Sequence, residues 1–259
     1  MMTEGFDYVI VGAGTAGCVL ANRLSENPAC RVLLLEAGKE DRDIRVRLPL
    51  TARQLWVHPG FNWGYMSEPE TYADDRRIAV PRGKIVGGSS SINGMLYTRG
   101  HPSDFDQWRQ MGCTGWSYDD VLPIYKRLET DWRGEGPYHG GSGPIQIVRA
   151  GNNTALAAPL QEAARKAGFP STDDHQGAEP EGYGVPDCNI ARGRRAGAAS
   201  VFLTPARSRP NLSVATHAQA TRIVVEKGRA VAIDYVQKGI VKRARAVGEI
   251  VLAGGVYNS

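Results

Sequence analysis

The segment FDYVIVGAGTAGCVLANRLSENPACRVLLLEAG, residues 6–38, constrains the fold more tightly than any other part of the chain. Residues 7–11 form a short apolar run rich in Val and Ile, the pattern of a parallel strand buried on both faces. Gly12, Gly14 and Gly17 follow at once in GxGxxG spacing. A helical pattern then runs from about residue 15 to residue 27, with Gly17 and Ala21 four apart, so that only small side chains lie where the helix presses on a sheet. Asn27 and Pro28 stop it. A second apolar strand, RVLLLEA, closes on Glu36 and Ala37. Strand, glycine turn, helix, strand and terminal acid in this order predict an α/β fold with a dinucleotide at the first turn. Gly12 permits the tight turn, Gly14 lets the backbone approach a pyrophosphate, and Gly17 allows close helix packing. The positive end of the helix faces the phosphates, and Glu36 accepts the ribose hydroxyls. With Ala37 and Gly38 beside the acid and no adjacent arginine, a 2′-phosphate meets repulsion, so NADP is disfavoured. On this motif alone FAD and NAD stand level.

Composition narrows the class. Thirty-one glycines in 259 residues exceed the usual share of roughly 7%, which implies many tight turns and close backbone approaches. The hydrophobic and charged shares, 42% and 22%, suit a soluble chain with a core. The net charge of +4 is spread; its densest stretches, ARGRRAG and IVKRARA, are too short to imply nucleic acid. Cys18, Cys30, Cys113 and Cys188 show no CxxC pair or metal-ligand spacing, so reduced thiols, no bound metal and a cytoplasmic compartment are expected. No apolar window of about 18 residues exists, and the N-terminus is acidic ahead of its apolar run, so neither a transmembrane segment nor export is signalled. Peripheral membrane contact stays open.

A second glycine motif lies in PRGKIVGGSSSINGMLYTRGHPSDFDQW, residues 81–108. Its Gly-Gly-Ser-Ser-Ser run is compatible with a flexible loop. It equally suits a second anion cradle, with exposed amides and a serine N-cap opening a helix near Ser91. This run closely resembles the first signature of the glucose-methanol-choline (GMC) oxidoreductases, matching at Gly83, Lys84, Val86, Gly87, Gly88, Ser89, Ser90, Ile92, Asn93, Tyr97, Gly100 and Asp106. The likeness continues in FNWGYMSEP (61–69), GCTGWSYDDVLPIYKRLE (112–129) and AGAASVFLTPARSRPNLSV (196–214). Within the family it is nearest the bacterial choline and alkanol dehydrogenases.

The resemblance implies a Rossmann-like, FAD-binding α/β fold of GMC type with inserted substrate-domain elements. It implies an extended FAD whose pyrophosphate lies at Gly12, Gly14, Thr15, Ala16 and Gly17 and at Gly88 and Ser89. The ribose falls to Glu36 and Ala37, and the isoalloxazine to Asn93, Gly94, Met95 and Leu96. By position, Val86 and the backbone at Ala220 are further contacts, the latter toward adenine; Ala220 reads equally well as a plain strand residue in a hairpin. The implied reaction is oxidation of the CH–OH group of a choline-like or other primary alcohol, with hydride transfer to flavin N5. A catalytically silent FAD-binding remnant or a scaffold for a partner, or a lyase or photodecarboxylase of the same family, is the alternative.

Nucleotide-binding layers are expected at about 5–40, 80–130 and 197–259, with substrate-domain excursions at about 41–79 and 131–196. A helix capped at Asn153 is expected within the second excursion. LSVATHAQATRIVVEKGRAVAIDYVQKG, which starts at Leu212, alternates as antiparallel strands turned at residues 227–229. Alcohol oxidation needs a base, usually histidine. His58, His101, His139, His175 and His217 have no carboxylate or serine at a telling spacing, so surface or structural roles are expected for all five and no catalytic residue is assigned. His101 lies closest in sequence to the flavin segment. The family keeps its catalytic histidine far downstream in a C-terminal half, and EIVLAGGVYNS resembles the strand and turn that begin the second GMC signature. That half, or a companion fragment, is therefore the expected partner, besides the alcohol substrate.

Overall fold

The computed structural model describes residues 5–151 and 155–259; the expected Asn153 cap lies outside them. The chain divides into two compact units, one running up to Gly94 and resuming at Gly197–Ser259, the other Met95–Ala196.

The first unit is built on a six-stranded sheet. Its strands are β1 (Gly5–Val11), β2 (Val32–Leu35), β3 (Leu212–Ala215), β4 (Ala218–Glu226), β5 (Arg229–Gln237) and β6 (Ile240–Leu252), in the spatial order β3-β2-β1-β6-β5-β4. Strands β3, β2, β1 and the end of β6 run parallel, with Tyr8 opposite Val32, Leu212 opposite Val32, and Val11 opposite Leu252. Every residue of β2 is buried, as its unbroken apolar run requires. β4, β5 and the first part of β6 form an antiparallel meander. Lys227 and Gly228, both at positive φ, close the hairpin between β4 and β5, the turn geometry whose twist matches paired strands. Leu212 and its neighbours are not part of that meander, contrary to expectation. They pair in parallel with β2, because Asn211 Nδ2 donates to the carbonyls of Ser25, Asn27 and Cys30 and seats β3 beside it.

β6 serves both halves of the sheet, antiparallel to β5 over its first part and parallel to β1 over its second. The core on this sheet contains Phe6, Val9, Leu33, Leu35, Ile233 and Tyr235. Helix α1 (Thr15–Leu24) turns Gly17, Cys18, Ala21 and Asn22 inward. A Cβ on Gly17 would meet Gly12 O at 1.9 Å, which is the close helix–strand packing that its spacing predicted. A second cluster, Val46, Leu55, Phe61, Ile85 and Ile92, packs beneath the second glycine motif.

The second unit carries helices α2 (Pro102–Gln110), α3 (Tyr118–Leu128) and α4 (Ala157–Lys166) with short strands. Capping boxes open α2, through His101 and Asp104, and α3, through Ser117 and Asp120. Strand Leu96–Tyr97 pairs with Asp187–Cys188. Beside it lies a buried ion network. Arg99 Nη2 meets Glu129 Oε1 at 2.7 Å, Arg133 Nη1 meets Asp131 at 3.2 Å and Asp187 at 2.9 Å, and His139 stands among the acids. Ligand-type atoms of Glu129, Asp131 and His139 lie within 4.8 Å of one another. Because two guanidiniums already neutralise these carboxylates, the cluster is an ion network in its own right. Among the described residues no helix is long and apolar enough to cross a membrane.

Candidate functional site

The end of β1 delivers Gly12 into its turn at φ 100°, where a side chain would place Cβ 2.4 Å from Ala253 O. This position demands glycine. The turn is fixed on both sides: the Gly12 N–H donates to Leu35 O and the Ala253 N–H to Val11 O, each at 2.8 Å. α1 begins behind it with no side-chain cap and no acid in its first turn, so its leading N–H groups and positive dipole end are left for an anion.

The second glycine motif comes up against the first. Gly87 donates its N–H to Ala13 O at 2.7 Å, and a Cβ on Gly88, whose φ is 53°, would lie 2.7 Å from Gly14 Cα. Residues Gly88–Ser91 form a 3₁₀ turn, not the N-terminus of a longer helix near Ser91 as expected. Ser91 is drawn inward instead, its Oγ donating to Val86 O at 2.7 Å while Ser89 Oγ accepts the Gly83 N–H at 3.1 Å. The segment presents backbone in the manner of a cradle without being the cap of a helix.

Glu36 is 5% exposed. Its Oε2 accepts the Ala13 N–H at 2.9 Å and its Oε1 the Gly38 N–H at 2.8 Å. Burial pushes this carboxyl up to about 7, against the opposing pull of the two amides and of Lys84. Cys18, whose Sγ donates to Ala13 O at 3.3 Å, is raised to about 12 by burial and is an inert thiol.

These elements wall a cavity of about 880 Å³. Of the residues singled out in the sequence, Gly12, Gly14, Thr15, Ala16, Glu36, Ala37, Gly88, Ser89 and Ala220 line it. Gly17 and Val86 do not; they are buried behind the wall, Val86 donating its N–H to Lys39 O at 3.0 Å. Asn93 and Gly94 also lie off the lining, and Met95 and Leu96 open the second unit, with Met95 buried at φ 62°. A left-handed conformation is uncommon for a residue with a side chain and accumulates at functional sites.

Sequence reasoning missed Trp63, Arg82, Arg222 and the stretch 252–259 as lining. Arg82 stacks on the Tyr257 ring at 5.0 Å, and Tyr65 Oη donates to Asn258 Oδ1 at 2.7 Å. The run FNWGYMSEP was a signal for Trp63, but nothing in it specified a role.

Gly14 tests whether a dinucleotide fits. With φ at −73° it is not a conformational necessity, and an added Cβ would find no protein atom nearer than Ala253 O at 3.9 Å. The protein's own packing leaves that space open, and it opens on the cavity. Backbone amides, a helix N-terminus and one carboxylate beyond them form a donor set suited to a pyrophosphate and a ribose.

None of the five histidines lines this cavity. His58 Nδ1 accepts the Gly60 N–H at 3.0 Å, His101 caps α2, His175 Nδ1 lies 3.2 Å from Pro180 O, and His217 borders a smaller cavity of about 460 Å³. His139 corrects the expectation that these rings lack carboxylate partners, since it touches three.

Residues 6–259 match the GMC oxidoreductase family. The oxygen-dependent choline dehydrogenase of Sinorhizobium fredii is 42% identical over 253 residues, an alignment covering 98% of this chain and 46% of that protein. Pyridoxine 4-oxidase from Mesorbium loti superposes with a TM-score of 0.91 at 35% identity, covering 96% of this chain and 49% of its own. An FAD-dependent oxidoreductase from Chaetomium thermophilum does so with a TM-score of 0.88 at 27% identity, covering 96% and 45%. The chain thus spans about half the length of the curated relatives it matches. The N-terminal domain of this family and such structural neighbours are FAD-binding flavoproteins. By its match over nearly its whole length, the chain belongs to the GMC oxidoreductase family.

Proposed function

We propose that this chain supplies the FAD-binding part of a flavoenzyme that oxidises the CH–OH group of a choline-like or other primary alcohol. The observation that carries the reading is the meeting of the two glycine segments, Gly88 against Gly14, on the wall of one cavity that also holds Glu36. In this reading Gly12, Gly14, Thr15, Ala16, Gly88 and Ser89 hold the pyrophosphate, Glu36 and Ala37 the ribose, and Ala220 the adenine. Gly17 and Val86 act from behind by fixing the backbone. Asn93, Gly94, Met95 and Leu96 run beside the isoalloxazine. Nucleotide-binding layers at about 5–40, 80–130 and 197–259, with substrate-side excursions at 41–79 and 131–196, belong to the same proposal.

When bound, FAD supplies the acceptor for the carbinol hydride. This chain's own residues orient it: the α1 N-terminus and the amides of the second glycine turn offset the phosphate charge, and the Glu36 carboxylate accepts ribose hydroxyls. The hydroxyl proton needs a base. Since no histidine lines the cavity, the base is assigned to a C-terminal half of the same enzyme or to a companion chain. The relatives named for choline and pyridoxine support an alcohol as substrate. The absence of histidine from the lining equally favours a second reading, a chain that binds FAD without turnover.

Titrating the purified chain with FAD, then adding a C-terminal half from a relative, separates the two readings. Flavin retention with turnover restored by the added half supports the enzyme. Flavin retention with no turnover in any combination supports the silent binder, and tight NAD binding with no flavin overturns both.

A further inference from the structure

His139 lies 6% exposed in the second unit with a carboxylate at each ring nitrogen. Nδ1 is 3.2 Å from Glu129 Oε1 and 3.4 Å from Asp131 Oδ2; Nε2 is 2.8 Å from Asp174 Oδ2. Carboxylates only accept, so both contacts are satisfied only when both nitrogens carry protons. We propose that protonated His139 is a latch that fastens the loop 172–177 against the strand Leu96–Tyr97, and that loss of its proton frees the loop from Asp174 onward.

Burial decides which contact breaks. The Glu129 and Asp131 side chains are 0% and 1% exposed, Asp174 28%. Water can replace a lost donor at Asp174 but not at the other two. The neutral ring therefore keeps its Nδ1 proton, and two acceptors, Nε2 and Asp174 Oδ2, are left face to face. Asp174 in turn shapes its loop: its Oδ1 accepts the Gln176 N–H at 3.0 Å, and its own N–H donates to Thr172 Oγ1 at 3.1 Å. Gln176 is the contact with the strand. Its Oε1 accepts the Arg99 N–H at 2.8 Å and its Nε2 donates to Tyr97 O at 3.2 Å. Asp173 stays put, held through its carbonyl by Arg133 Nη2 and through its side chain by Arg149 Nη2, each at 2.9 Å. The loop hinges there.

The other charges facing the ring are Arg99 on Glu129, Arg133 on Asp131, on Asp187 and, at 4.0 Å, on Asp174, and the Tyr97 phenol, pushed up by burial and by Glu129. None changes charge near neutrality. The hydrogen bond to Glu129, ahead of that to Asp174, raises His139 above the ordinary histidine value. A raised folded-state value means that the latch is complete below the unfolded histidine's titration and is lost as pH rises through the folded one.

Hydrogen exchange on the whole chain, corrected for intrinsic rates, tests this from roughly pH 6 to pH 9. Peptides spanning 172–177 and 96–99 should lose protection together, with the midpoint that NMR gives for His139. The loss should be tenfold for each unit by which the ring exceeds an ordinary histidine. Asp174→Asn should abolish the pH response and stay protected, because its amide donates to the neutral ring while its carbonyl still serves Gln176. His139→Gln should be unprotected throughout. Protection independent of pH in the wild type, a fall shared by Asp174→Asn, or a His139 that titrates at or below the ordinary value would overturn the latch. The Asp174→Asn comparison decides even if His139→Gln does not fold.

Discussion

At the scale of single residues, the glycines at the first turn separate folding from binding. Gly12→Ala would drive a Cβ to 2.4 Å from Ala253 O at φ 100°, so it should cost about 1–3 kcal/mol or prevent folding. Thermal or urea unfolding followed by circular dichroism measures it. Gly14→Ala has room in the protein itself, so the same measurement should register little change while flavin titration registers a clear loss of affinity. Glu36 adds a pH dependence. Its carboxyl titrates near 7 in the free chain because burial disfavours the charge. This raised value means that its contribution to stability is present below ordinary carboxylate pH and is lost as pH rises through about 7. Ribose hydroxyls donate to the ionised form, so FAD binding should release a proton, and affinity should rise with pH and level off above about 7. Glu36→Gln would set an amide donor against one of the two backbone N–H groups, weaken FAD by roughly ten- to a hundredfold and flatten that profile. Isothermal titration in buffers of different ionisation heat reads the proton release directly.

At the scale of elements, β6 is where one strand serves two sheets' worth of pairing. It passes from β5 to β1 at Arg245, and Gly248 follows at the register shift between Phe6 and Tyr8, where a Cβ would lie 2.6 Å from Asp7 O. Gly248→Val should therefore destabilise the first unit by about 1–3 kcal/mol, seen as a lower urea midpoint with an unchanged slope. How legible each element was in the sequence follows the distance over which its cause acts. The first glycine turn and the hairpin at Lys227 and Gly228 were readable because strand, turn and partner are contiguous. The placement of β3 was not, since it depends on Asn211 reaching three carbonyls more than 180 residues away. The second glycine segment looked like a helix start because Gly-Ser-Ser-Ser is a good local cap; what converts it to a 3₁₀ turn is Ser91 bonding back to Val86 and the contact of Gly88 with Gly14. His139 was opaque for the same reason, its carboxylates lying 8, 10 and 35 residues away along the chain.

At the scale of the whole molecule, the cavity has binding groups and no histidine on its wall, and apolar side chains stand exposed along it. Val256 and Tyr257, which line it, are 81% and 55% exposed, and Leu50 and Val57 elsewhere on the same unit are 97% and 82% exposed. Exposed apolar surface of this kind favours association. The chain by itself should therefore bind FAD yet not oxidise an alcohol, because loss of a general base typically costs 10²–10⁴ in rate. It should also self-associate, with light scattering rising with concentration, and co-expression with a C-terminal half from a relative should lower the scattering and restore turnover together. The two readouts are independent: a half that restores solubility without turnover would point to the silent binder, whereas turnover by this chain alone, verified by mass as free of any companion, would place the base within it. His217 would then be the first residue to replace, since it is the histidine that shares a cavity wall with Ala37, next to Glu36.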